Sequence, residues 1–89
     1  MEVTDNRAAS RFELATEAGP AVAAYRRDGG VVTFTHTVVP REVEGQGIGS
    51  RLIAGALAQV RGEGLKVVPQ CPFVAAYIER HPEWRDLLA

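Results

Sequence analysis

The stretch Val38-Val39-Pro40-Arg41-Glu42-Val43-Glu44-Gly45-Gln46-Gly47-Ile48-Gly49-Ser50-Arg51-Leu52 decides the fold. On its N-terminal side, Val31 to Val39 is rich in β-branched side chains and reads as a strand. On its C-terminal side, Ile48, Leu52, Ile53, Ala56, Leu57 and Val60 recur at helical spacing, which predicts an amphipathic helix of about three to four turns. Between the two, glycines at 45, 47 and 49 let the backbone turn tightly and come close to a ligand. The helix that follows offers free N–H groups and the positive end of its dipole, so Gly45 to Arg51 has the makings of a pyrophosphate cradle. Ser50 adds a hydroxyl donor and Arg51 a mobile cation at the same helix end.

Upstream of this stretch, Arg11 to Thr16 alternates apolar and polar residues with the period of a half-buried strand. Ala21 to Arg27 is a second strand, joined to the first by the turn-prone Glu17-Ala18-Gly19-Pro20. Asp28-Gly29-Gly30 supplies a tight hairpin into Val31 to Val39, completing an antiparallel meander of three strands. Residues 1–10 are polar without a period and are expected to be a flexible terminus outside the core. Downstream, Gly62 and Gly64 end the helix, and Leu65 to Val68 follows as a short apolar strand. Strand, helix and strand in succession imply a right-handed crossover and a parallel pair. Pro72 suits the first position of another helix, Phe73 to Arg80, and Pro82 to Leu88 is expected to form a short terminal helix with Trp84, Leu87 and Leu88 packed back. The fold class expected is therefore mixed α+β, a single domain over residues 11–89.

Composition narrows the partners. At 89 residues, 46% hydrophobic and 24% charged, the chain has ordinary globular character and supports one core. The formal charge of −1 argues against nucleic acid, which usually needs a clustered basic excess. No apolar run approaches the roughly 20 residues that cross a bilayer, and the N-terminus lacks the pattern of a signal peptide. A single cysteine, Cys71, and two histidines, His36 and His81, offer neither a disulfide nor a metal set. A cytoplasmic monomer or weak homodimer is the resulting expectation.

Other phosphate-binding loops fit less well. A Walker loop needs Lys before Ser or Thr after its last glycine, whereas Gly49 is followed by Ser50-Arg51. A dinucleotide fold opens on a βαβ unit with a later acidic residue, and this chain opens on a meander. A plain strand-to-helix connection is a third reading of the glycines. The string Glu44-Gly45-Gln46-Gly47-Ile48-Gly49 resembles the phosphate motif of the GNAT superfamily of N-acetyltransferases, Arg/Gln-x-x-Gly-x-Gly/Ala, with a departure at its first position. The blocks His36-Thr37-x-Val39-Pro40, Gly45-x-Gly47-x-Gly49-Ser50-x-Leu52, Val68-Pro69-x-Cys71-Pro72 and Arg80-His81-Pro82-x-Trp84 look closer still to its very small, YjdJ-like branch.

The resemblance implies a minimal GNAT-like fold, acetyl-CoA (CoA) as cofactor, and an amine acceptor. It implies that Gly45, Gln46, Gly47, Ile48, Gly49, Ser50 and Arg51 hold the pyrophosphate, and that the backbones of Val38 and Val39 pair with the pantetheine arm as a further strand would. The carboxylate of Glu44 cannot donate to phosphate, so the role of the family residue is not carried over to it. Helices that shape the acceptor site between the first two strands of most relatives have no room in Glu17 to Pro20.

Three side chains are catalytic candidates. Cys71 lies directly before Pro72, where a helix N-terminus favours a thiolate that could carry the acetyl group; a small buried cysteine is the other reading. Tyr77 matches the tyrosine with which the superfamily often protonates the leaving thiolate, or is an ordinary tyrosine of an amphipathic helix. His36 shares the face of Val32, Phe34 and Val38 under regular strand alternation, so it is a packed histidine or a general base. The functions in view are an N-acetyltransferase, a non-catalytic CoA-binding module and a purely structural domain.

Overall fold

Alternation of apolar and polar side chains along each strand builds a sheet with one covered face, which a single long helix then seals. The computed structural model describes residues 2–89. Its strands are β1 (Val3–Asn6), β2 (Arg11–Thr16), β3 (Gly19–Asp28), β4 (Val31–Val38) and β5 (Lys66–Pro69), and its helices α1 (Ile48–Gly62) and α2 (Pro72–Arg80). Short 3-10 turns occupy Arg7–Ala9, Arg41–Val43 and Pro82–Leu87. The sheet order is β1-β2-β3-β4-β5, antiparallel except for the parallel β4–β5 pair. The expected α+β order is present, including the crossover from β4 through α1 to β5.

Phe12, Leu14, Ala21, Ala23, Tyr25, Val32 and Phe34 fill the inner face, and Leu52, Ile53, Ala56, Leu57 and Val60 of α1 close over them. The rings of Phe12 and Tyr25 lie 5.2 Å apart and those of Phe12 and Phe34 5.9 Å, a compact aromatic centre. At the other end of the chain Trp84 packs against the core and lies under the Arg61 guanidinium, 4.5 Å from the ring centroid. Leu88, expected to pack back with Trp84 and Leu87, instead keeps an exposed side chain, because its extended backbone bridges to Val67 in parallel and carries the sheet beyond β5.

The N-terminal segment departs from the expected flexible terminus. Residues Val3–Asn6 pair with β2 as an edge strand, and Val3 is buried; Met1 lies outside the described residues. The physical reason sits in α1. A Cβ on Gly55 would come within 2.4 Å of the Val3 side chain, so the missing side chain makes the seat for Val3. Gln59 donates from Nε2 to the Val3 carbonyl at 2.6 Å, and the Tyr25 hydroxyl donates to Asp5 at 2.6 Å. Burial, followed by this bond to Asp5, pushes the Tyr25 hydroxyl up to about 12.

Glu63, just beyond α1, ties the same region together. Its Oε1 accepts from Arg27 of β3 at 2.7 Å and from Arg7 at 2.9 Å. The hydrogen bond from Arg27, with that from Arg7, holds its carboxyl below the usual carboxylate range. A lowered folded pKa contributes stability above the unfolded value that is lost as pH falls through the folded one. The urea midpoint is therefore expected to fall as pH drops below about 4.5, and to fall less steeply in Glu63→Gln.

Gly55→Ala sets two effects against each other. Helix propensity alone favours alanine by about 0.5–1 kcal/mol, whereas overpacking against Val3 costs about 1–3 kcal/mol. The clash should win, giving a net loss of stability in urea denaturation; a stabilised Gly55→Ala protein would mean that β1 does not depend on this contact.

Candidate active site

Strand β4 carries one residue too many. Tyr25 pairs with Phe34 and Ala24 with His36, which leaves Thr35 as a bulge with its hydroxyl donating to the Ala24 carbonyl at 3.2 Å. The bulge reverses the facing of every later residue in the strand. Thr37 turns inward, paired opposite buried Ala23, and His36 turns outward opposite Ala24. His36 is thus exposed, off the face of Val32 and Phe34 on which regular alternation had placed it. Its Nδ1 lies 3.3 Å from the Thr35 hydroxyl, and it does not line the groove described next.

Pairing between β4 and β5 stops at Phe34 and Pro69, four residues before β4 itself ends at Val38. The last link is the Cys71 N–H, which donates to the Phe34 carbonyl at 2.9 Å. Beyond it the backbones of β4 and of the chain after β5 share no further hydrogen bond among the described residues, and Thr37 meets Cys71 through side chains alone. Past that point a groove of about 360 Å³ lies between the end of β4 and the start of α1, lined by Thr37 and Val39, by Val43, Glu44, Gly45 and Gly47 of the connecting turn, by Ile48, Gly49 and Ser50 of α1 and by Phe73 of α2; no residue of β5 lines it.

The glycine turn is held in place from below by Val43. Its buried side chain anchors the 3-10 turn Arg41–Val43, whose bonds run from Val43 N–H to the Pro40 carbonyl and from Glu44 N–H to the Arg41 carbonyl. Gly45 and Gly47 then adopt φ of +84° and +75°, the left-handed region in which a side chain is strained. Gly47 is the N-cap of α1 and provides no side-chain cap, and the first turn holds no acidic residue. The leading N–H groups of α1 have no partner among the described residues, and Ile48, Gly49 and Ser50, which carry them, line the groove.

The third glycine has a different task. Gly49 is helical, and a Cβ there would come within 2.7 Å of the Phe73 ring. Phe73 belongs to the first turn of α2, so the contact sets how closely the N-termini of the two helices approach. All three glycines were expected to serve the ligand; Gly49 lines the groove with the other two and also sets the spacing of the helix pair.

The remaining candidates divide. Cys71 is buried, the N-cap residue of α2, with Sγ 3.4 Å from the hydroxyl of Thr37, which lines the groove. Tyr77 is buried on the inner side of α2, its ring 4.2 Å from that of His81. Its hydroxyl has no partner among the described residues and is not sealed from solvent. Val38 and Gln46 are exposed and lie off the groove lining, whereas Val39 is on it. Arg51 differs most from expectation: its guanidinium pairs with Glu2 and lines a second depression with Val3 and Ala54. Thr37, Val43 and Phe73 were not singled out beforehand. The signal for Phe73 was Gly49, a glycine inside a helix; no pattern announced the bulge that turns Thr37 inward.

The sequence profile of the GCN5-related N-acetyl-transferase family matches residues 11–87, nearly the whole chain. This chain belongs to that family. A GCN5-like protein of the N-acetyltransferase type from Staphylococcus aureus, solved by NMR in solution, superimposes with a TM-score of 0.75 at 25% identity, over 99% of this chain and 87% of that one. The fold of this acetyltransferase is the family's mixed sheet with its parallel β4–β5 pair, and its activity class is acyl transfer.

In this N-acetyltransferase the Gly49 and Phe73 contact yields a direct test. Gly49→Ala gains about 0.5–1 kcal/mol of helix propensity but sets its Cβ against the end of the exposed Phe73 ring, which can swing aside, so a net loss of no more than about 1 kcal/mol is expected. Adding Phe73→Ala should cancel part of that loss, giving a positive coupling in a double-mutant cycle by urea denaturation. Strictly additive losses would mean that the ring does not constrain Gly49.

Proposed function

We propose that this acetyltransferase binds acetyl-CoA along the groove between the end of β4 and the start of α1 and transfers the acetyl group to an amine. The observation that carries the reading is the early end of β4–β5 pairing at Phe34 and Pro69, past which Thr37 and Val39 line one groove with the uncapped N-terminus of α1. An opened strand edge suits the amide-bearing pantetheine arm, which pairs with backbone as an added strand does. An uncapped helix start reached through two left-handed glycines suits the pyrophosphate. The residues present therefore fit the group, with Val38 and Val39 along the arm and Gly45, Gly47, Gly49 and Ser50 around the phosphates.

When bound, acetyl-CoA supplies an acyl group activated as a thioester. The chain supplies position and proton handling. A backbone N–H of Val38 or Val39 would act as donor to the carbonyl oxygen as charge develops on it. Tyr77, whose hydroxyl has no partner among the described residues, is the side chain assigned to protonate the departing thiolate, from behind the residues that line the groove. Cys71, behind Thr37, is placed for a share in the chemistry only if its sulfur becomes accessible from the groove. His36, exposed on the outer side of the bulge, is given no role.

Calorimetric titration with acetyl-CoA is expected to give binding that is abolished in Gly47→Asp, which sets a carboxylate at the helix start. Tyr77→Phe should retain binding and lose about 100-fold or more in kcat, the usual contribution of a general acid. Cys71→Ala decides between an acetyl-cysteine route, if turnover collapses, and direct transfer with Cys71 as a packing residue, if turnover persists. No acetyl-CoA binding to the unmodified protein would overturn the proposal.

A further inference from the structure

The groove is charged in an unexpected sense for a site that takes a polyanion. Among the described residues lining it, Glu44 is the only ionisable side chain, and no lysine or arginine joins it. The nearest cation on α1, Arg51, is paired with Glu2 and lines the separate depression beside β1. Glu44 itself is exposed and forms neither an ion pair nor a side-chain hydrogen bond among the described residues. It follows the buried anchor Val43 directly and precedes Gly45, so its backbone is fixed at the rim of the turn that leads into α1. The attraction for phosphate thus comes from backbone N–H groups and the helix dipole, and a full negative charge opposes it.

We infer that Glu44 is a specificity-determining residue that lowers the preference of the site for phosphorylated acyl thioesters over unphosphorylated ones. The inference rests on the acetyl-CoA reading above and adds a substrate consequence. Binding free energy comes chiefly from the acyl-pantetheine portion against Thr37, Val39, Ile48 and Phe73, and the phosphate portion contributes less than an uncapped helix start alone would provide. Acyl thioesters on a pantetheine arm with few phosphate charges, or none, are then competitive donors for this groove.

The test compares dissociation constants of acetyl-CoA and S-acetyl-pantetheine by calorimetry on the unmodified protein, Glu44→Gln and Glu44→Ala. Removing the charge is expected to tighten acetyl-CoA about threefold to tenfold, as an exposed charge contact allows, and to leave S-acetyl-pantetheine unchanged. Added salt should shrink the difference between the proteins for acetyl-CoA only. Equal effects on both ligands, or none on either, would overturn the role of Glu44 while leaving the cofactor reading intact. Failure of every variant to bind acetyl-CoA would overturn both. Two substitutions of different size separate loss of charge from loss of packing, since only the charge effect is common to both.

Discussion

The extra residue in β4 is the constraint on which the site depends. Thr35 takes up one position that β3 does not match, and its hydroxyl fastens the irregularity to the Ala24 carbonyl. Inward facing passes from the even-numbered Val32 and Phe34 to the odd-numbered Thr37. Pairing with β5 ends at Phe34, just before the bulge, and Thr37, turned inward beyond it, lines the groove with Val39. Without the bulge, His36 would point at the core and Thr37 away from Cys71. A β-bulge beside a functional site is a recurrent device for re-aiming a side chain, and here it re-aims His36, Thr37 and Val38 at once.

An opened sheet needs compensation elsewhere, and α1 supplies it along its whole length. Its start carries the Arg51 and Glu2 pair, its middle receives Val3 against Gly55 with Gln59 bonded to the strand backbone, and its end reaches Arg7 and Arg27 through Glu63. These contacts hold the helix against β1 and β3, so that its N-terminus is presented to the groove in one orientation. The surface ion pairs at the two ends contribute little individually, and the buried contact at Gly55 is the firmer of the ties.

Most of the element order was legible in the sequence because its signals are local. The alternation in Arg11 to Thr16, the Asp28-Gly29-Gly30 hairpin, the helical spacing from Ile48 to Val60 and Pro72 at a helix start each depend on near neighbours. The glycine turn was legible for the same reason, since Gly45 and Gly47 are needed for backbone conformation. What escaped was set by distant partners. Val3 is the one apolar residue that β1 buries, and its burial depends on Gly55, more than fifty positions away. The facing of His36 depends on a register shift against β3 that strand periodicity cannot register, and the direction of Arg51 depends on Glu2 in an edge strand that polar composition concealed.

The proposed ligand-binding surface is made of the end of β4, the glycine turn and the start of α1. Amide-resolved NMR spectra recorded while acetyl-CoA is added test it most directly. The account predicts shifts at Val38, Val39, Gly45, Gly47, Gly49 and Ser50, with the amides of β1 and of the far end of α1 unmoved. Shifts centred instead on Ala54, Gly55 and Ala58, which line the other depression, or no shifts at all, would contradict it.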